Sequence, residues 1–159
     1  MGPRLLISGA GLLLLVVGLM GMLPSSELRP PGFTPTMWFD TQHVNMSHPQ
    51  CNPSMQVINS LTRFCKNKNT FLHTTYVNVV NVCGSPNIQC SSSTQNNCHD
   101  SPHQVDITVC DLIGPRAVYP NCNYHQTQAT KYYTVACNPK SPQDTVPFPM
   151  VPVHLDKTF

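Results

Sequence analysis

Charge is what this chain has least of. Only 10% of its 159 residues are Asp, Glu, Lys or Arg, against the ~25% usual in globular domains. Nine Lys plus Arg against seven Asp plus Glu leave a formal +2, too mild for a polybasic tail or a membrane-lytic cationic helix. No Gly-x-Ser-x-Gly elbow, P-loop, dinucleotide fingerprint or His-Glu-x-x-His occurs, so the familiar hydrolase and nucleotide-cofactor plans have no support. No Cys-x-x-Cys pair occurs and the cysteine spacings do not repeat, which weighs against zinc. No internal repeat or second domain is visible, and the length suits one domain. Low charge with 40% hydrophobic residues also fails the signature of disorder.

Proline (16) and cysteine (8) are what the chain has in quantity. Residues Met1 to Leu23 hold one early cation, Arg4, and then an unbroken apolar or glycine run from Gly9 to Leu23, the layout of a secretory signal. A retained anchor is the competing reading, because Leu5 to Leu23 is barely long enough to span a bilayer. No basic stop-transfer cluster follows. Residues 1–28 are therefore assigned to a signal peptide, cleaved at about 21–28, and 29–159 to a single domain. All eight cysteines, at 51, 65, 83, 90, 98, 110, 122 and 137, follow this leader. An even count in an exported chain reads as a disulfide framework, though spacing alone leaves 105 pairings open. Export also makes Asn45-Met46-Ser47 a usable glycosylation sequon, whereas the proline excludes Asn52-Pro53-Ser54.

Thr34-Pro35 predicts the start of a short helix running through Met37, Trp38, Phe39 and His43. Asn52-Pro53 repeats the signal, and Met55, Ile58 and Leu61 recur at helical spacing. Thr70 to Thr75 reads as a strand. Thr75 to Cys83 is balanced between its β-branched composition and a helical spacing ended by Gly84. Strands are predicted at Val105 to Cys110, Lys131 to Cys137 and Met150 to Leu155, and loops over 91–101 and 138–149. Helices first and antiparallel strands later indicate an α+β fold. Alternation in the last strand puts Val151, Val153 and Leu155 on one face and His154 on the other.

Of the seven histidines, His43 and His154 lie on regular elements that can hold an imidazole in place. His48, His99, His103 and His125 fall in polar or proline-bordered stretches and are read as solvated, and His73 as a packing residue. The run Cys65-Lys66-Asn67-Lys68-Asn69-Thr70-Phe71 then resembles the Cys-Lys-x-x-Asn-Thr-Phe signature of the pancreatic ribonuclease (ribonuclease A) superfamily. It is flanked at the right ends of the chain by Gln42-His43 and by Pro152-Val153-His154-Leu155-Asp156. Within the superfamily, Trp38-Phe39, Gln42-His43-Val44-Asn45-Met46 and Asn78-Val79-Val80-Asn81-Val82-Cys83-Gly84 are most similar to the eosinophil-associated ribonucleases, the eosinophil-derived neurotoxin group.

That resemblance implies a ribonuclease A-like fold of three short helices and a bent antiparallel sheet. It favours helix for Thr75 to Cys83 and pairs Cys51 with Cys110, Cys65 with Cys122, Cys83 with Cys137, and Cys90 with Cys98. It also marks Tyr119-Pro120 and Phe148-Pro149 as places where relatives can use cis proline. The implied function is a secreted, pyrimidine-preferring RNA endonuclease without metal or cofactor, acting in host defence. It would cleave by transphosphorylation to a 2′,3′-cyclic phosphate. His43 would be the base and His154 the acid, and Lys66 the phosphate-neutralising cation. Substrate contacts would come from Gln42, Asn67, Lys68, Asn69, Thr70 (pyrimidine edge) and Asn97 (3′ purine), with Asp156 orienting His154. Asn138 stands where the family often has an acid, so no base contact is assigned to it. Single-stranded RNA is the implied partner, with a cytosolic ribonuclease inhibitor as a further candidate. A monomer with no stable membrane insertion after leader removal, stored in secretory granules before release, completes that picture. The alternative is a host-defence binding or signalling protein of the same fold whose effect does not need catalysis.

Overall fold

The computed structural model describes residues 29–114 and 117–159, so the expected leader lies outside the described residues. Helix α1, Pro35–His43, opens as its sequence demands. Thr34 is the N-cap, its Oγ1 accepts the Met37 N–H at 3.2 Å, and proline occupies the first turn, where its missing N–H has no intrahelical role. Trp38 and Phe39 are neighbours in sequence and both buried, yet they enter different apolar clusters. The single short helix therefore joins two parts of the core and carries His43 at its last position.

Helix α2, Cys51–Thr62, starts earlier than the Asn52-Pro53 signal suggested. Gln50 is its N-cap, and the Asn52 Oδ1 instead accepts the Tyr124 N–H at 2.8 Å. Pro53 remains within the first turn, where no N–H is needed. Leu61 is 38% exposed, and the buried face runs through Cys51, Met55, Ile58 and Asn59. The balanced segment resolves as helix α3, Tyr76–Val82, capped by Thr75 Oγ1 accepting from Asn78 N at 3.1 Å and burying Val79, Val80 and Val82.

Six strands follow: β1 (Lys68–Leu72), β2 (Cys98–Asp100), β3 (Val105–Leu112), β4 (Tyr124–Lys131), β5 (Tyr133–Pro139) and β6 (Met150–Thr158). They form two antiparallel sheets, β1-β3-β4 and β2-β5-β6. The expected bend is therefore complete enough to divide the sheet, and the predicted strand at Lys131 to Cys137 is split at Tyr132. β2 and β4 were not anticipated. β2 is only three residues long, and β4 is polar along most of its length because much of its surface faces solvent. β2 also corrects the reading of His99. Pairing opposite Val135 makes that histidine 3% exposed, with Nδ1 donating to Ser85 O at 2.7 Å. His48, His103 and His125 are exposed as expected; His73, just past β1, is exposed rather than packed.

All four disulfides join the expected partners: Cys51–Cys110, Cys65–Cys122, Cys83–Cys137 and Cys90–Cys98. The first three close separations of 59, 57 and 54 residues, and each can add ~2–4 kcal/mol by restricting the unfolded chain. Each of the three apolar clusters contains at least one of these half-cystines. Tyr119–Pro120 is cis and Phe148–Pro149 is not. Among the described residues no helix is long and apolar enough to cross a membrane.

Candidate active site

Lys66 is placed by the turn that ends α2. Arg63 adopts a left-handed φ of 67° there, and its N–H donates to Asn59 O at 2.7 Å. Asn59 then fixes the returning chain. Its Oδ1 accepts Lys66 N at 3.1 Å and its Nδ2 donates to the Tyr124 hydroxyl at 2.9 Å, while that hydroxyl donates to Lys66 O at 2.6 Å. The Lys66 ammonium donates to Gln42 Oε1 at 2.7 Å and to Asn69 Oδ1 at 2.8 Å, and Asn69 Nδ2 donates to Gln42 O at 2.7 Å. The cation is thus buried among neutral amides, and burial pushes its pKa down to about 8. Two of its three N–H donors are committed, which leaves one for an oxyanion.

His43 sits where α1 ends against β1. Nδ1 lies 2.8 Å from Thr70 O, and because a carbonyl can only accept, Nδ1 carries the proton and Nε2 of the neutral ring is a free base. The Phe39 ring, 5.4 Å away and tilted by 52°, supports the imidazole. Burial first, then the Lys66 charge and, least, the His154 charge push the His43 pKa down to about 3, against the raising effect of the Thr70 bond. The ring is therefore neutral at physiological pH.

His154 lies between two interruptions of the β5–β6 ladder. Ala136 pairs with His154 and Cys137 with Pro152, which skips Val153; Val135 pairs with Leu155 and Thr134 with Lys157, which skips Asp156. Such bulges re-aim side chains and recur beside active sites. The simple alternation expected for this strand fails for the same reason, since Val151, Pro152 and Val153 are all buried. His154 and His43 line one cleft of about 390 Å³ together with Gln42, Asn138 and Asp156. A second cleft of about 410 Å³, lined by Lys66, Lys68, Asn69, Thr70 and Lys157, shares His43, Leu155 and Asp156 with the first. The two adjoin as one groove at His43, with His154 lining the first part and Lys66 the second.

The remaining expected residues divide. Gln42, Asn69 and Thr70 are in the groove, and exposed Lys68 lines it while standing 4.0 Å from Asp111. Asn67 is outside the lining, with its carbonyl accepting from Leu112 N at 2.8 Å. Asn97 borders the first cleft through Asn138: its amide donates to Cys137 O at 3.2 Å and to Asn138 Oδ1 at 2.9 Å. The Asp156 carboxylate accepts from Ser91 N, Ser92 N and Ser92 Oγ at 2.8, 2.9 and 2.6 Å, so it pins the start of the loop after Cys90 against β6. Asn45 is exposed in the turn after α1. Asn59, Tyr124, Ser92, Gln95 and Lys157 were not singled out from the sequence. Asn59 alone left a signal there, as a polar residue on the apolar stripe four positions after Met55. Among the described residues, Cys90, Cys98 and Asp156 bring metal-ligating atoms together, but both sulfurs are oxidised in one disulfide and offer no thiolate.

A pH dependence follows. The folded protein resists a proton that the unfolded chain takes up at about 6.5. The stability associated with neutral His43 is therefore complete above that value and is lost as pH falls toward about 3. An oxyanion beside Lys66 would favour imidazolium, so inorganic phosphate should raise the His43 pKa. Titration of its ring protons by NMR with and without phosphate checks this; an unchanged midpoint would place the anion elsewhere.

The sequence model of the pancreatic ribonuclease family matches residues 34–156, which contain every residue of this groove except Lys157 and Thr158. The chain is 47% identical over 160 residues to the eosinophil cationic protein of Rattus norvegicus and 50% identical over 161 residues to eosinophil cationic protein 2 of Mus musculus, with all of each chain covered. A matching family model, full-length similarity, and four disulfides spanning helices and paired sheets agree: this chain belongs to the pancreatic ribonuclease family, in its eosinophil group.

Proposed function

We propose that the chain is a metal-independent endoribonuclease that cleaves single-stranded RNA after pyrimidines. One observation carries the reading: a neutral imidazole with its basic nitrogen free, a second imidazole and a buried ammonium meet in one groove. His43 Nε2 takes the proton of the ribose 2′-hydroxyl as that oxygen bonds to phosphorus. The bond from phosphorus to the 5′-oxygen breaks, and His154 gives that oxygen its proton. The products are a 2′,3′-cyclic phosphate and a free 5′-hydroxyl. In the second half the roles reverse: His154 takes a proton from water, which opens the ring, and His43 returns one to the 2′-oxygen. Each transfer contributes typically ~10²–10⁴ in rate, and Lys66 offsets the charge that gathers on the phosphorane oxygens.

The Thr70 side supports the pyrimidine assignment, since a hydroxyl can donate to one pyrimidine edge and accept from the other. The Asn97–Asn138 side is then left for the base that follows. Asp156, by holding Ser91 and Ser92, shapes that wall in addition to any effect on His154. Export through a leader at 1–28 that leaves 29–159 as the acting domain belongs to the same proposal, and the eosinophil affiliation of the relatives supports a host-defence setting.

The test uses uridylyl-adenosine and its 2′-deoxy analogue in the presence of a chelator. The ribose form should be cleaved and the deoxy form should not, because the nucleophile belongs to the substrate. Cleavage of both, or loss of activity in chelator, would refute the mechanism.

A further inference from the structure

We propose that Tyr132 and Phe159 form a stacking platform for the nucleobase immediately 5′ to the bound pyrimidine. The proposal rests on the ribonuclease reading above and extends the groove by one nucleotide. The two rings are stacked at 5.4 Å with an interplanar angle of 23°, yet they remain 37% and 46% exposed. They are held by reciprocal backbone bonds, Tyr132 N to Phe159 O and Phe159 N to Tyr132 O, both 2.9 Å. A base that stacks there meets an ordered surface, which limits the entropy lost on binding.

Position assigns the occupant. The pyrimidine seated at Thr70 presents its 2′-hydroxyl and 3′-phosphate to His43 and Lys66, so the strand leaves that cleft by the 5′-oxygen. Lys157 and Thr158 line the same cleft and lead directly into Phe159. Lys157 lines the cleft and its ammonium lies 5.3 Å over the Phe159 ring, which sets that ring beside the groove. Lys157 is also placed to meet the phosphate that links the two nucleotides. A flat ring accepts any base, and the interaction needs no charge. That suits a chain whose +2 balance allows few phosphate contacts.

The experiment compares three substrates with one cleavable bond: uridylyl-adenosine, the same dinucleotide with a 5′-phosphate, and the trinucleotide ApUpA. The trinucleotide should be cleaved with a kcat/KM at least about fivefold above the phosphorylated dinucleotide, the low end of base stacking on an aromatic ring. Phe159→Ala and Tyr132→Ala should each bring that ratio close to one while leaving uridylyl-adenosine turnover within about twofold. Raising the salt should leave the ratio standing, because a phosphate contact would fade and a stack would not. A ratio near one in the unaltered protein, or one that persists in both variants, would overturn the platform. If uridylyl-adenosine is itself untouched, the ribonuclease reading fails. The platform is still decided by shifts of the Tyr132 ring protons on adding the 2′-deoxy trinucleotide, which should be present in the unaltered protein and lost in Phe159→Leu.

Discussion

Alanine in place of either His43 or His154 should lower cleavage of a pyrimidine–purine dinucleotide by at least about 10²- to 10⁴-fold, the usual contribution of one positioned acid or base. The chain should remain folded. His43→Ala removes a ring supported by Phe39 and one hydrogen bond to Thr70, whereas three long-range disulfides each add ~2–4 kcal/mol to stability. The two variants should fail differently. A phenolate leaves without needing a proton, so a uridine 3′-aryl phosphate should restore most of the loss in His154→Ala and none of the loss in His43→Ala. Steady-state rates on the two substrates, with circular dichroism to confirm folding, check both roles. Near-normal turnover in either variant would remove that residue from the chemistry.

Lys66→Met should uncouple activity from stability. Loss of the cation beside the phosphorane should reduce turnover by about 10²–10³-fold, as loss of one preorganised donor does. Stability has two opposing terms. Depression of the Lys66 pKa from 10.5 to about 8 corresponds to about 3 kcal/mol by which the fold disfavours the charged form. Against this, the Gln42 and Asn69 oxygens lose their donor at a cost of about 1–3 kcal/mol each if they stay dry. They border the groove, where water can reach them, so the first term should win and the variant should melt at or above the temperature of the unaltered protein near neutral pH. The sign with pH is also fixed. The unfolded chain holds the Lys66 proton up to 10.5 and the folded one up to about 8. Stability from this group therefore rises between those values and is flat below them. Melting curves from pH 7 to 10 should show the rise in the unaltered protein and its absence in Lys66→Met.

The legible part of the fold is the part where local signals and the frame agree. Thr34-Pro35 placed α1 correctly because cap and first turn are local chemistry. β4 was missed because its identity comes from the ladder to β3 rather than from an alternating apolar face: of its residues only Tyr124 is buried. α3 could not be separated from a strand by composition, since the valines that favour β structure are the same ones, Val79, Val80 and Val82, that its buried side requires. Asp156 was read as a partner for His154, and its bonds to Ser91 and Ser92 depend on a loop some 65 residues away in the chain.

The sequence by itself determined which groups are available: two imidazoles and one ammonium in family-specific runs, an even set of cysteines, and a charge balance too small to grip RNA by phosphates alone. Tertiary structure decided what state those groups are in. Whether His43 is neutral with Nε2 free depends on its burial and on Thr70, 27 positions away, and the lowered pKa of Lys66 depends on its burial beside Gln42 and Asn69. Protonation is set by desolvation and by charges within a few ångströms, and those distances exist only once the chain has closed on itself.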